Sequence, residues 1–331
     1  MTRAAPRLNH NLTFADLQDI ETLQTFDARF LERLYARNPA AHEKLLAYRN
    51  GAAFTPVQVS GLLIAGGPVL EEFVGGLFGI ERELAELRAQ TLTHDPLFAF
   101  KKQFVQRRAR RRLAKKEEFE GFAELDAWLS SVLKRAGLNG ADRELAVGRY
   151  GERLLADEGA NAEAIEQLTR WCIRALTTPE GRRAVKGWVS FRLPEGVDPQ
   201  RLVPVVPVAG DPIGRTEGPR ATRHHRDGFK LTDPRMNARE VQNEIHYCIL
   251  CHEHDGDFCS KGFPEKKGEP EKGLKVNPLG VTLTGCPLDE KISEMHALKK
   301  EGYAIGALAM ITVDNPMCAT TGHRICNDCM K

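Results

Sequence analysis

The chain lacks any strong excess of charge. Across 331 residues, 47 Lys and Arg stand against 45 Asp and Glu, a formal net charge of +2. That balance gives no global attraction to nucleic acid or to an anionic membrane. Apolar residues are also scarce at the start: Met1 to His10 hold no apolar run of the kind a secretory signal needs, which predicts a cytoplasmic protein with its cysteines as thiols. The longest apolar stretch, Val57 to Leu70, is interrupted by Gln58, Ser60, three glycines and Pro68. It is too short and too broken to span a bilayer, which takes about 20 apolar residues, so no membrane is expected as a partner. Nucleotide fingerprints are absent as well. Gly61, Gly66, Gly67, Gly75, Gly76 and Gly79 have neither the G-x-G-x-x-G spacing nor a P-loop lysine, and no strand precedes them. Close helix packing or loop mobility is the simpler reading of these glycines. No nucleophile–base pair and no carboxylate cluster stands out, so no catalytic residue is assigned.

What the chain does contain is apolar periodicity. With 42% hydrophobic residues it can bury a core. Thr13 to Leu34 suits a helical face with Thr13 as its cap, Asn38-Pro39 stops it, and a short helix follows over Ala40 to Tyr48. Thr55-Pro56 opens the next one. Lys101 to Lys116 carries nine basic residues and no acidic one, followed at once by Glu117, Glu118 and Glu120. Few aromatics interleave with these arginines, so nucleic acid is not the expected partner; a solvated face or a surface for an acidic partner is. Phe122 to Leu176 is again helical, with the lone Cys172 beside Trp171 on an apolar face, as a core residue. Seven prolines between Gly181 and Pro234 then predict an extended connector with at most a short strand or hairpin. His224 and His225 lie in it; adjacent histidines point in different directions on most backbones, which argues against a shared metal. A helix from about Met236 to Tyr247, started at Thr232-Asp233-Pro234, leads to the first cysteine pair.

Seven of the eight cysteines fall in the last quarter: Cys248-x-x-Cys251, Cys259, Cys286-Pro287, Cys318 and Cys326-x-x-Cys329. Two centres are chemically open to this set. Zinc needs a tetrahedron, which Cys248 and Cys251 could complete with His252, His254 or Cys259. An iron–sulfur cubane needs thiolates from several directions, and C-x-x-C turns supply neighbouring corners with amides free to bond the sulfides. His246, His252 and His254 are not committed as ligands.

The order Cys248-Ile249-Leu250-Cys251, Cys286-Pro287-Leu288-Asp289-Glu290-Lys291-Ile292, Ala307-Leu308, Asp314-Asn315-Pro316 and Gly322-His323-Arg324-Ile325-Cys326 resembles the N-terminal iron–sulfur domain of the glutamate synthase small subunit and dihydropyrimidine dehydrogenase. The likeness covers about 95 residues, from Arg235 onward. It implies two [4Fe–4S] clusters, with Cys248, Cys251 and Cys259 serving the first and Cys286, Cys326 and Cys329 the second. It also implies helices over Asp289 to Lys300 and Tyr303 to Val313. FAD and NAD(P), the cofactors of that family's flavoprotein portion, have no fingerprint in this chain, so they are expected on a partner flavoprotein portion or subunit and the chain is not expected to be catalytic alone. Two features depart from the family: Ser260 to Gly285 form an insert that reads as an exposed loop, and Cys318 has no assured place. In the family a further cysteine follows the last pair, which predicts a chain continued by, or meeting, a flavoprotein. The expected fold is mainly α: a helical domain over 1–180, a Pro-rich connector over 181–234, and an α-helical ferredoxin-like iron–sulfur domain over 235–331. The other reading is a non-catalytic helical interaction protein with a structural zinc module.

Overall fold

A computed structural model describes residues 8–9, 12–115, 118–194, 198–203, 205–218, 228, 236–254, 256–266 and 268–318. The described residues are mainly helical. Helices α1 (Ile20–Arg37), α2 (Pro39–Arg49), α3 (Pro56–Phe78), α4 (Glu81–Leu92) and α5 (Asp95–Phe100) open the chain. A π-helical stretch, Lys101–Ala109, continues α5. Next come α6 (Phe122–Arg135), α7 (Arg143–Leu155), α8 (Ala162–Thr177) and α9 (Pro179–Ala184), then β1 (Val206–Pro207) and β2 (Thr216–Glu217). Helices α10 (Ala238–Ile245), α11 (Ile292–Lys300) and α12 (Ala304–Asp314) follow. The connector's hairpin is thus present as the antiparallel pair β1–β2.

The first helix starts later than its sequence suggests. Thr13 hydrogen-bonds Asp16 through both its amide and its hydroxyl, and this local turn ends in a 3₁₀ segment, Asp16–Gln18. Asp19 then caps α1 by accepting from the Thr22 amide at 2.9 Å. Asn38 stops α1 and caps α2. Thr55 and Gln58 form a reciprocal capping box at the head of α3, with Pro56 in its first turn.

Helix α3 is the axis of the molecule. Pro68 does not break it, and its 23 residues are long and apolar enough to cross a bilayer by length and composition alone. Here, however, it serves two protein cores. One is Leu34, Ala41, Leu62 and Val69, shared with α1 and α2; the other is Leu298, Ala307 and Met310 of α11 and α12, against Leu63 and Ile64. Two glycines make the second contact possible. A Cβ on Gly67 would lie 2.5 Å from Leu298 Cδ1, and one on Gly306 would lie 2.9 Å from the Gly67 carbonyl oxygen. Close helix packing therefore accounts for Gly67 and Gly306. The largest core lies elsewhere, between the π-helical stretch and α6 to α8, around Phe100, Phe104, Leu129, Leu168 and Trp171. Cys172 is fully buried in it, and burial pushes its thiol pKa well up.

The basic run is less uniform than it reads. Lys101 is 4% exposed, and its Nζ donates to Arg192 O (2.5 Å), Asn243 Oδ1 (2.6 Å) and Tyr247 OH (2.7 Å). Arg108 pairs with Glu158 at 2.9 Å and Arg112 with Glu166 at 2.7 Å. The head of the run is thus a buried tie between the connector and α10, not part of a solvated face.

Candidate metal centre

Helix α10 delivers the first cysteine pair. Its start lies at Ala238, where Asn237 and Glu240 form a capping box; the Thr232-Asp233-Pro234 start expected for it lies outside the described residues. Helix end and cysteine turn are joined directly, since the Cys248 amide bonds Ile245 O at 3.1 Å. Lys101 holds Asn243 and Tyr247, the residues just before Cys248.

The Cys248-Ile249-Leu250-Cys251 turn is bent by Leu250, which has φ +50°. This left-handed conformation is uncommon for a leucine. It aims the Leu250 amide at Cys248 Sγ, 3.4 Å away. The turn thus gives Cys248 Sγ a backbone donor, the kind of contact that C-x-x-C turns offer to cluster sulfurs. Cys251 is buried and starts a 3₁₀ turn, Cys251–His254. Ser293 on α11 reaches back to the turn: its Oγ is 2.6 Å from His252 Nδ1 and 3.8 Å from Cys248 Sγ.

The insert after Cys259 is folded rather than loose. Bridges Pro264–Leu274 and Val276–Thr282 pair it with itself, and the Phe263 amide bonds Leu283 O at 3.0 Å. At its base Gly285 has φ +78° and presses on the Ser260 and Gly262 backbone, leaving no space for a Cβ. The chain therefore re-enters beside its exit, and the Cys286 amide donates to Cys259 O at 2.7 Å. Residues 259 and 286 are brought together across 26 intervening residues.

Helices α11 and α12 form an antiparallel pair. Asp289 has φ +56° and the intervening residues are turned, so α11 begins at Ile292 rather than Asp289. The Asn315 side chain donates from Nδ2 to Glu290 Oε1 at 2.6 Å, and Lys291 Nζ lies 3.4 Å from Asp314 Oδ2. The end of α12, and with it Cys318, is thus returned to the start of α11 near Cys286. Burial and the nearby charge of Glu290 raise the Cys318 thiol pKa. Cys172, Cys248, Cys251, Cys286 and Cys318 are not in disulfides.

Among the described residues no three His, Cys, Asp or Glu side chains gather in a group that could hold a metal ion. Cys326 and Cys329 lie outside the described residues, as do His224 and His225. The local features nonetheless suit a thiolate-bound centre: a sulfur already accepting an amide, two buried cysteines, and a loop closed so that Cys259 and Cys286 are neighbours. Sequence reasoning missed Ser293 and Lys101. Nothing local marks Ser293, and Lys101 was hidden in a run of like charges.

Residues 8–79 match the family model described as the RP005 N-terminal alpha-helical domain. No solved structure matches the chain. The chain is similar, at 27% identity over 310 residues, to the uncharacterized protein RP005 of Rickettsia prowazekii (strain Madrid E), with 89% of this chain and 99% of that protein covered.

Proposed function

We propose that the chain is the electron-transfer iron–sulfur portion of an NAD(P)H- and FAD-dependent oxidoreductase related to the glutamate synthase small subunit, working with a flavoprotein that carries FAD and NAD(P). The observation that carries this reading is the closure of the insert. With Gly285 packed on Ser260 and the Cys286 amide on Cys259 O, the third cysteine and the cysteine-proline are neighbours despite the insert between them. In this reading Cys248, Cys251 and Cys259 ligate a first [4Fe–4S] cluster and Cys286, Cys326 and Cys329 a second. Such clusters, when bound, take up and release one electron at a time, which splits the two-electron hydride delivered by a nicotinamide. The chain's own residues supply the setting. Leu250 donates its amide to Cys248 Sγ, the burial of Cys251 and Cys286 limits water at those thiols, and Ser293 braces the first turn from α11.

Anaerobic purification tests the reading. The expected product is brown, absorbs broadly at about 400 nm, bleaches with dithionite and holds roughly eight iron and eight acid-labile sulfide per chain. A colourless protein with stoichiometric zinc would sink it.

One observation favours that second reading, a structural zinc site in an interaction protein. His252 is 7% exposed and directly follows Cys251, and its Nδ1 is engaged by Ser293, which fixes the ring with Nε2 left as a potential ligand.

A further inference from the structure

A cavity of about 450 Å³ lies where the α2–α3 junction meets the cysteine segment. Its walls are apolar and aromatic: Tyr48 and Phe54 set edge to face at 5.7 Å, with Val57, Phe258 and Leu274 around them. Its polar lining includes His252, Lys261 and Lys291, yet one acceptor in it is left without a donor. Asp257 Oδ1 lines it, shielded from solvent and without a hydrogen-bond partner. Beside it Ser60, 6% exposed, spends its hydroxyl on Glu294 Oε1 at 2.5 Å, and Glu294 Oε2 is a second buried oxygen without a partner. Glu294 is near enough for its charge to act on Asp257. The charges of Lys261 and Lys291 also act on Asp257, but both lysines are engaged elsewhere and neither donates to Oδ1. Lys261 is paired with Asp289, and Lys291 donates to Asp289 O and faces Asp314.

A buried carboxylate oxygen without a donor is costly, so a native protein rarely leaves two together. A bare cation does not answer the need, because no three ligands converge among the described residues. An anion is repelled. The remaining chemistry is a flat apolar body with N–H donors on one edge, and the volume falls in the usual range for a small-molecule site. We propose that this cavity binds an aryl or heteroaryl ligand bearing an amidine-like N–H edge, with Asp257 as its acceptor. No thiol lines the site, although His252, the imidazole of the zinc reading, is one of its walls.

Titration of the full-length protein with benzamidine, and with benzoate as the anionic counterpart, tests this by calorimetry or saturation-transfer NMR. Benzamidine is expected to bind saturably and benzoate not to bind. Asp257→Asn should weaken benzamidine by about tenfold or more, and Val57→Trp, which fills the mouth from the first turn of α3, should abolish binding. Failure of the wild-type protein to saturate with benzamidine, equal binding of benzoate, or undiminished binding by Asp257→Asn overturns the proposal. If Asp257→Asn does not fold, as read by far-ultraviolet circular dichroism, Val57→Trp decides: retained binding places the ligand elsewhere.

Discussion

Single residues fix the closest approaches in this molecule. Gly66 and Gly67 are adjacent in sequence, yet a Cβ at Gly66 would meet nothing within 4 Å while one at Gly67 would press on Leu298. Gly66→Ala should therefore stabilise the fold by about 0.5–1 kcal/mol, the helix-propensity gain, whereas Gly67→Ala should cost about 1–3 kcal/mol by overpacking. Urea midpoints of the two variants would show the opposite signs; equal effects would mean that α3 and α11 do not meet as described. His246 supplies a test by pH. It stacks on Phe98 at 4.1 Å, and burial, reinforced by Lys300, Lys102 and Lys101, lowers its pKa from 6.5 to about 4. The unfolded chain takes up a proton near pH 6.5 and the folded chain only near 4. This histidine's contribution is thus complete above pH 6.5 and lost as the pH falls through 4, a change of about 1–3 kcal/mol. Urea unfolding at pH 7 and pH 5 should show a smaller drop for His246→Phe than for the wild type. Neither effect is legible in the sequence, because Gly66 and Gly67 differ only in which face of α3 they occupy.

At the scale of elements, α3 holds the cysteine segment through buried polar contacts as well as packing. Glu71, 6% exposed, accepts the Ile305 and Gly306 amides at 2.8 and 3.1 Å and so satisfies the head of α12 from another helix. Glu71→Ala should leave those amides buried without an acceptor, at about 1–3 kcal/mol. Glu71→Gln keeps an acceptor and should recover part of the loss in the same thermal or urea unfolding measurement. Failure of glutamine to rescue would point to charge rather than hydrogen bonding. Helix positions were well signalled by caps at Asn38 and Thr55, where the relevant partners are within four residues. They were misread at Thr13 and Asp289, where side-chain and backbone turns compete with the helix. Glu71 itself reads as the charged end of an apolar stretch; its partners are more than 230 residues away.

For the whole molecule, the decisive quantity is what the cysteine segment holds. If Cys251 ligates iron, Cys251→Ser should lower iron and sulfide per chain by about half and leave helical content unchanged, since one of two clusters is lost. Iron content equal to that of the wild type would remove Cys251 from the ligand set. Lys101 adds a second whole-molecule constraint, tying Arg192 of the connector to Asn243 and Tyr247 ahead of the cysteine turn. Lys101→Met should leave the buried Asn243 Oδ1 without its donor, while Arg192 O keeps the Tyr247 hydroxyl, and destabilise the fold by about 1–3 kcal/mol, measured by urea unfolding.

The sequence by itself determined the mainly helical class, the helix stop at Asn38-Pro39, the helix start at Thr55-Pro56, and Cys172 as a core residue. These follow from local periodicity and backbone chemistry, which act over a few residues. It also marked out the thiols of the cysteine segment, because their spacing is a sequence property. Only the tertiary structure decided that Gly67 and Gly306 face each other, that Lys101 is buried, that Glu71 caps a distant helix, and that Cys259 and Cys286 are neighbours. Each depends on two segments meeting across a long loop, and pairings of that range are set by how whole faces pack rather than by any residue's own preference.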